Sequence, residues 1–262
     1  LTNEIRKKYG LDDFDIPSKN IHIIKEKEWR EEGCTAFYNS GAQAVAMCEQ
    51  PSKLNFAKKV FHEMLHFKSY NVLQVTKSEQ PKLEEYRLGL IVYTRDGKKM
   101  HFSGLNEAVT EEMVKRYALK NVENLSRNPL FAQEIKQTRE IINKYPNAKA
   151  SFGGRLSNKD VFYAEIKELS KDGKTAVIDT EGFTYGRERS LLNTLINKLL
   201  EHNKEGFKNT DEIFELFVKG MMTGNILPIG RLIDVSFGKG TLRKIGELDD
   251  DIEAQEKFVN FL

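Results

Sequence analysis

Val60-Phe61-His62-Glu63-Met64-Leu65-His66 is the stretch on which the reading of this chain turns. Side chains four apart leave a helix on one face, so His62 and His66 can offer two imidazoles to one tetrahedral Zn²⁺ at about 2.0–2.1 Å. Glu63 then falls beside the ion rather than on it. From there its carboxylate can take a proton from a water whose pKa the metal lowers to about 7. With 5 His and 39 acidic residues in 262, the pattern His-acid-x-x-His arises by chance in about one such chain in a hundred. The plain alternative is a helix that carries two hydrogen-bonded histidines.

Outward from this stretch, Ser52 is a good N-cap, and Leu54, Ala57, Val60, Phe61, Met64, Leu65 and Phe67 recur at helical spacing. The spacing predicts a helix from Ser52 to about Tyr70. Short strands flank it at 21–24, 35–38, 43–47, 87–94 and 99–102, the last two around Asp96-Gly97. A turn at 39–42 would set Cys34 opposite Met47. Further helices are expected from about Gly104 to Leu119 and over 129–144. Residues 161–179 fit a helix through Phe162, Ile166 and Leu169, or a hairpin through Asp172-Gly173, with the hairpin favoured. Beyond Gly182 the texture is helical, at 185–201, 211–222, 226–237 and 251–262. The fold class is α+β, with a small, mostly antiparallel sheet and the His62 helix in residues 1–128 and a mainly helical subdomain in 129–262.

Composition excludes more than it names. At 39% hydrophobic, with 16 Phe and 9 Tyr, the chain is neither collagen-like nor low-complexity. Its 41 basic and 39 acidic residues are interspersed, so no charge pattern points to nucleic acid or an anionic membrane. No apolar run approaches the roughly twenty residues that span a bilayer. Two cysteines, Cys34 and Cys48, make neither a disulfide framework nor a zinc ribbon. No signal-peptide pattern opens the stretch, which favours a soluble cytoplasmic protein, although a leader could have been removed before Leu1. Oligomeric state is left open.

A catalytic zinc site needs a third protein ligand and an open position. In Asn106-Glu107-Ala108-Val109-Thr110-Glu111 two carboxylates sit four apart at the start of a helix. Glu107 can complete a His₂Glu shell, and Glu111 can accept the free ring N–H of a ligating histidine. Taken alone, the pair also reads as a solvated acidic face favoured by the helix dipole.

His62-Glu63-x-x-His66 followed by Asn106-Glu107-x-x-Thr110-Glu111 resembles the gluzincin metallopeptidases of the thermolysin type, whose pattern is H-E-x-x-H followed by N-E-x-x-S-D. Upstream, Thr35-Ala36-Phe37-Tyr38-Asn39-Ser40-Gly41-Ala42-Gln43 is similar to the family's edge-strand motif N-A-F-W-N-G-S-Q, with one extra residue. The three segments keep the family's order and cover about a third of the chain. The resemblance implies a zincin-like fold, a Zn²⁺ cofactor and a peptide or protein substrate that adds to the strand carrying Thr35, Ala36 and Tyr38. For Phe37 and Tyr38 an ordinary core or surface aromatic is the equal alternative.

The departures are Thr35 in place of Asn, Glu111 in place of Asp, and a longer interval between His66 and Glu107, filled by a hairpin over 87–102. The family's oxyanion-stabilising Tyr and His have no aligned counterparts. Tyr185 is the expected substitute, with Arg189 and His202 as further options, whereas Tyr93, Tyr145, His22 and His101 read as structural. The implied activity is peptide-bond hydrolysis by a metal-activated water with Glu63 as general base. The alternatives are an inert zincin-like domain that binds a peptide or partner, and a structural protein with a chance motif.

Overall fold

The computed structural model describes residues 2–29, 36–75, 81–146, 148–150, 161, 163–179, 182–248 and 252–262. The first half runs α1 (Thr2–Lys8), β1 (Ile21–Ile24), β2 (Ala36–Asn39), β3 (Ala44–Cys48), α2 (Lys53–Lys68), β4 (Asn71–Val75), β5 (Leu83–Leu88), β6 (Ile91–Tyr93), β7 (Met100–His101) and α3 (Ser103–Lys120). There follow α4 (Val122–Arg127), α5 (Ala132–Lys144), β8 (Lys149–Ala150), β9 (Glu165–Leu169) and β10 (Ala176–Asp179). The chain closes with α6 (Gly186–His202), α7 (Thr210–Thr223), α8 (Leu227–Phe237), α9 (Thr241–Gly246) and α10 (Ile252–Phe261).

The mixed α+β class holds, but among the described residues the strands form three small sheets instead of one. Their orders are β1-β3-β2, β4-β5-β6-β7 and β8-β10-β9. Most pairings are antiparallel, while β1 on β3 and β8 on β10 are parallel. The apolar run 87–94, read as one strand, is broken by a tight turn at Gly89-Leu90 that pairs Leu88 with Ile91. Gly89 has φ +57°, a conformation that glycine adopts without a steric penalty. The 161–179 region does form a hairpin, β9–β10. The turn after β2 spans 40–43, so Met47 lies opposite Ala36 rather than Cys34, which is outside the described residues. Cys48 is free and buried.

Helix α2 begins where Ser52 was expected to cap it, its hydroxyl accepting the Asn55 N–H at 2.9 Å. A second cap comes from far along the chain. Glu134 of α5 accepts the Lys53 N–H at 3.0 Å, the Leu54 N–H at 3.2 Å and the Ser52 hydroxyl at 2.6 Å. Helix N-terminal amides lack partners within their own helix, and here the carboxylate also meets the positive end of the dipole.

One face of α2 puts Phe67 against Val45 and Met47 of the first sheet. The other sends Leu65 into the main core, which joins Leu90, Val109 and Met113 to Leu192, Leu195, Phe217 and Met221 of α6 and α7. A separate small core, around Tyr145, Ala164 and Ile178, packs α5 against the third sheet. Helix α2 is therefore gripped from both sides. No helix among the described residues is long and apolar enough to cross a membrane.

Candidate metal centre

Helices α2 and α3 pack together and bring three donor atoms to one point. His62 Nε2 and His66 Nε2 lie 3.0 Å apart, and Glu107 Oε2 is 3.2 Å from the first and 3.3 Å from the second. A tetrahedral ion with ligand distances of about 2.0–2.1 Å would require donor separations of about 3.3–3.4 Å. The triangle is thus already close to the size of one face of that tetrahedron. Both histidines are buried, while Glu107 keeps 19% of its side chain exposed, which leaves the group open on that side. His62, His66 and Glu107 could hold a metal ion.

The remaining ring nitrogens are also occupied. His62 Nδ1 donates to Glu111 Oε2 at 2.8 Å, which directs Nε2 toward the ligand point. The Asn106 side-chain amide lies 3.4 Å from His66 Nδ1 and is itself held by the Leu90 N–H, which donates to Asn106 Oδ1 at 2.9 Å. The sequence pattern assigns Asn106 no role of its own, and its place directly before Glu107 is the signal for this one. Gly89 completes the support from behind, because a Cβ there would stand 2.4 Å from Asn106 Oδ1.

Charge in this cluster is strongly redistributed. Burial pulls the His62 imidazole down, yet hydrogen bonds to Glu107 and Glu111 outweigh it and push it up to about 10. For Glu107 burial is likewise outweighed, here by the charge of His66 and the bonds from both histidines, and its carboxyl is held far below the usual range. The Glu111 carboxyl is also lowered, against its burial, chiefly by the bond from His62. Glu63 behaves in the opposite way. It is 7% exposed, burial raises its carboxyl, and the charges of His66 and His62 and the Tyr38 N–H only partly offset that. A buried carboxylate of raised basicity beside the ligand point, but outside it, suits proton transfer.

Tyr185 stands over the same point. Its ring stacks on His62 at 6.0 Å and 18°, and its hydroxyl hydrogen-bonds Glu107. Burial, then the charge of Glu107, raises the phenol well above its ordinary value, so it is a donor at any neutral pH. It caps α6 in the left-handed region, φ 55° and ψ 43°, a strained state for a non-glycine residue. Neither other option reaches the site in this way. Arg189 is spent on Glu112 and on the carbonyls of Phe183 and Thr184. His202 packs on Phe237 at the far end of α6, about 26 Å along the helix from Tyr185 at 1.5 Å per residue.

Strand β2 is an edge of its sheet. The Tyr38 N–H donates to Glu63, so the backbone there looks away from β3, and by the two-residue period Ala36 looks the same way. The Tyr38 side chain does not share that direction. Its ring packs on Phe67 at 4.9 Å and its hydroxyl accepts from Asn71 and Gln43, so this half-buried aromatic lies against the core of the first sheet. Thr35 lies outside the described residues. Comparison with protein-family models, curated proteins and solved structures finds no significant match.

Proposed function

We propose that this chain is a zinc metallopeptidase with a zincin-like arrangement of edge strand, His62 helix and Glu107 helix. The convergence of His62, His66 and Glu107 on one point, with Glu63 beside it and unligated, carries the reading. Two imidazoles and one carboxylate form a borderline donor set that suits zinc, and the donor separations fit its tetrahedral shell. When bound, zinc supplies Lewis acidity to a water and to the scissile carbonyl.

The chain's own residues do the rest. Glu63 takes the proton of the attacking water and returns it to the leaving amine. The Tyr185 hydroxyl donates to the oxygen that gains charge as the carbonyl becomes tetrahedral. Glu111 and Asn106 keep the two imidazoles turned toward the ion. The substrate peptide extends along the edge strand β2 at the level of Ala36. Residues 129–262 complete the cleft by supplying Tyr185.

Metal content by plasma mass spectrometry, on wild type and His62→Ala after dialysis against a weak chelator, tests the site. About one zinc per chain in wild type and none in the variant is expected, together with cleavage in a mixed peptide library. No metal in either protein removes the proposal. Zinc without hydrolysis removes the peptidase and leaves a peptide-binding module.

A further inference from the structure

Lys58 lies one helical turn before His62, and its side chain is only 4% exposed. An ammonium is rarely taken out of water unless partners compensate it. Its Nζ donates to the Gly182 carbonyl at 2.7 Å and lies 3.8 Å from Glu111 Oε1, with the Phe183 ring 5.7 Å away. Glu111 is also the carboxylate that orients His62. Its Oε2 accepts from His62 Nδ1 at 2.8 Å, and its Oε1 accepts the Thr184 N–H, also at 2.8 Å.

One carboxylate therefore has the metal ligand on one oxygen and the backbone that leads into Tyr185 on the other. Buried Arg189 adds a third fastening, donating to the carbonyls of Phe183 at 3.3 Å and Thr184 at 3.5 Å. Interior charged groups from α2, α3 and α6 thus hold three consecutive residues. The segment they hold ends in the left-handed Tyr185, and such a conformation persists only where its surroundings over-determine it.

The geometry points to Lys58 as a positioning residue that, with Glu111, clips residues 182–185 over the metal centre, so that metal loading and the placement of Tyr185 are coupled. The coupling rests on the zinc reading above. The clip itself does not. Coupling of this kind is reciprocal: what tightens Glu111 on His62 also tightens it on Thr184, and loosening the clip weakens the metal.

The test is hydrogen exchange by mass spectrometry on peptides covering 182–189, in the full chain, with zinc alone as the probe against a competing chelator. Wild type should show slow exchange at Thr184, slowed a further ~tenfold or more by zinc. Lys58→Met keeps the length and removes the charge. It should speed exchange there at least ~tenfold without zinc, abolish the zinc-dependent slowing, and bind zinc more weakly than wild type by up to ~tenfold. Glu111→Gln should also lose ~10–100-fold in zinc affinity, because it touches His62 directly.

If Lys58→Met fails to fold because Glu111 is left buried without the neighbouring ammonium, the double variant Lys58→Met/Glu111→Gln removes that charge and should show the same fast exchange. Wild-type protection of Thr184 in Lys58→Met, or in the double variant, overturns the clip. Zinc binding by wild type with no effect on this segment overturns the coupling alone. No zinc binding by wild type overturns the metal reading and the coupling, while the comparison in chelator still decides the clip.

Discussion

Zinc should stabilise this fold by an amount that grows with pH, and the size of the effect follows from His62. In the metal-free chain, burial lowers this imidazole but Glu107 and Glu111 more than offset it, raising it from 6.5 to about 10. A raised base contributes stability that is complete below its unfolded value of 6.5 and is lost as pH climbs through about 10. As a metal ligand the same imidazole must be neutral. Zinc therefore displaces about one proton from His62 throughout that window, and its apparent affinity rises ~tenfold per pH unit.

At fixed free zinc above saturation, tenfold in affinity adds about 1.4 kcal/mol to the stability of the loaded form. A chain of 262 residues unfolds with an entropy of about 0.55 kcal/mol/K, taking about 2.1 cal/mol/K per residue. The zinc-induced rise in Tm should therefore grow by about 2.5 °C per pH unit. At a hundred times Kd the rise itself is about 5 °C, from about 2.7 kcal/mol. Thermal melts in metal-buffered zinc and in chelator, from about pH 7 to about pH 9, measure both quantities. A zinc shift that is flat across this range, or that survives unchanged in Glu107→Gln, would refute the reasoning.

Other substitutions separate the roles within the site. Glu63→Gln should retain zinc and lose ~10²–10⁴ in kcat on a cleavable peptide, and full activity would remove Glu63 as the base. Tyr185→Phe should lower kcat by about 10²-fold or more, with zinc content and Tm near those of wild type. Activity within a factor of about two of wild type would return the oxyanion role to another donor. Gly89→Ala forces a Cβ toward Asn106 Oδ1 and Met221 at a φ of +57°, so it should lose ~1–3 kcal/mol and bind zinc more weakly through His66. A wild-type melt and zinc affinity in that variant would show that Asn106 moves aside without consequence.

Much of the site was legible because it is local. The four-residue spacings of His62 with His66 and of Glu107 with Glu111 put each pair on one helix face before any tertiary contact forms. Ser52 marks the start of α2 by the same kind of short-range chemistry, and Asp172-Gly173 marks the β9–β10 turn. Where the reading failed, competing contacts came from elsewhere in the chain. The run 87–94 is apolar enough for one strand, but Gly89 turns under Asn106 and divides it. Tyr38 looked equally fit for the cleft or for an ordinary aromatic, and only Phe67 and Asn71 on other elements draw its half-buried side chain against the core of the first sheet.

Period and residue type over a few neighbouring positions were enough to place α2, α3, α5 to α8 and α10 and to name the candidate donor atoms, whereas the short helices α1, α4 and α9 left no such signal. Tertiary structure alone decided that donors more than forty residues apart meet within 3.3 Å, that Glu134 caps α2 across the chain, and that Lys58 and Glu111 reach the segment before Tyr185. The physical reason is range. A helix face is set by backbone geometry within one or two turns, whereas the approach of α2, α3 and the start of α6 is set by a shared core of Leu65, Val109, Leu192 and Phe217, which no local pattern encodes.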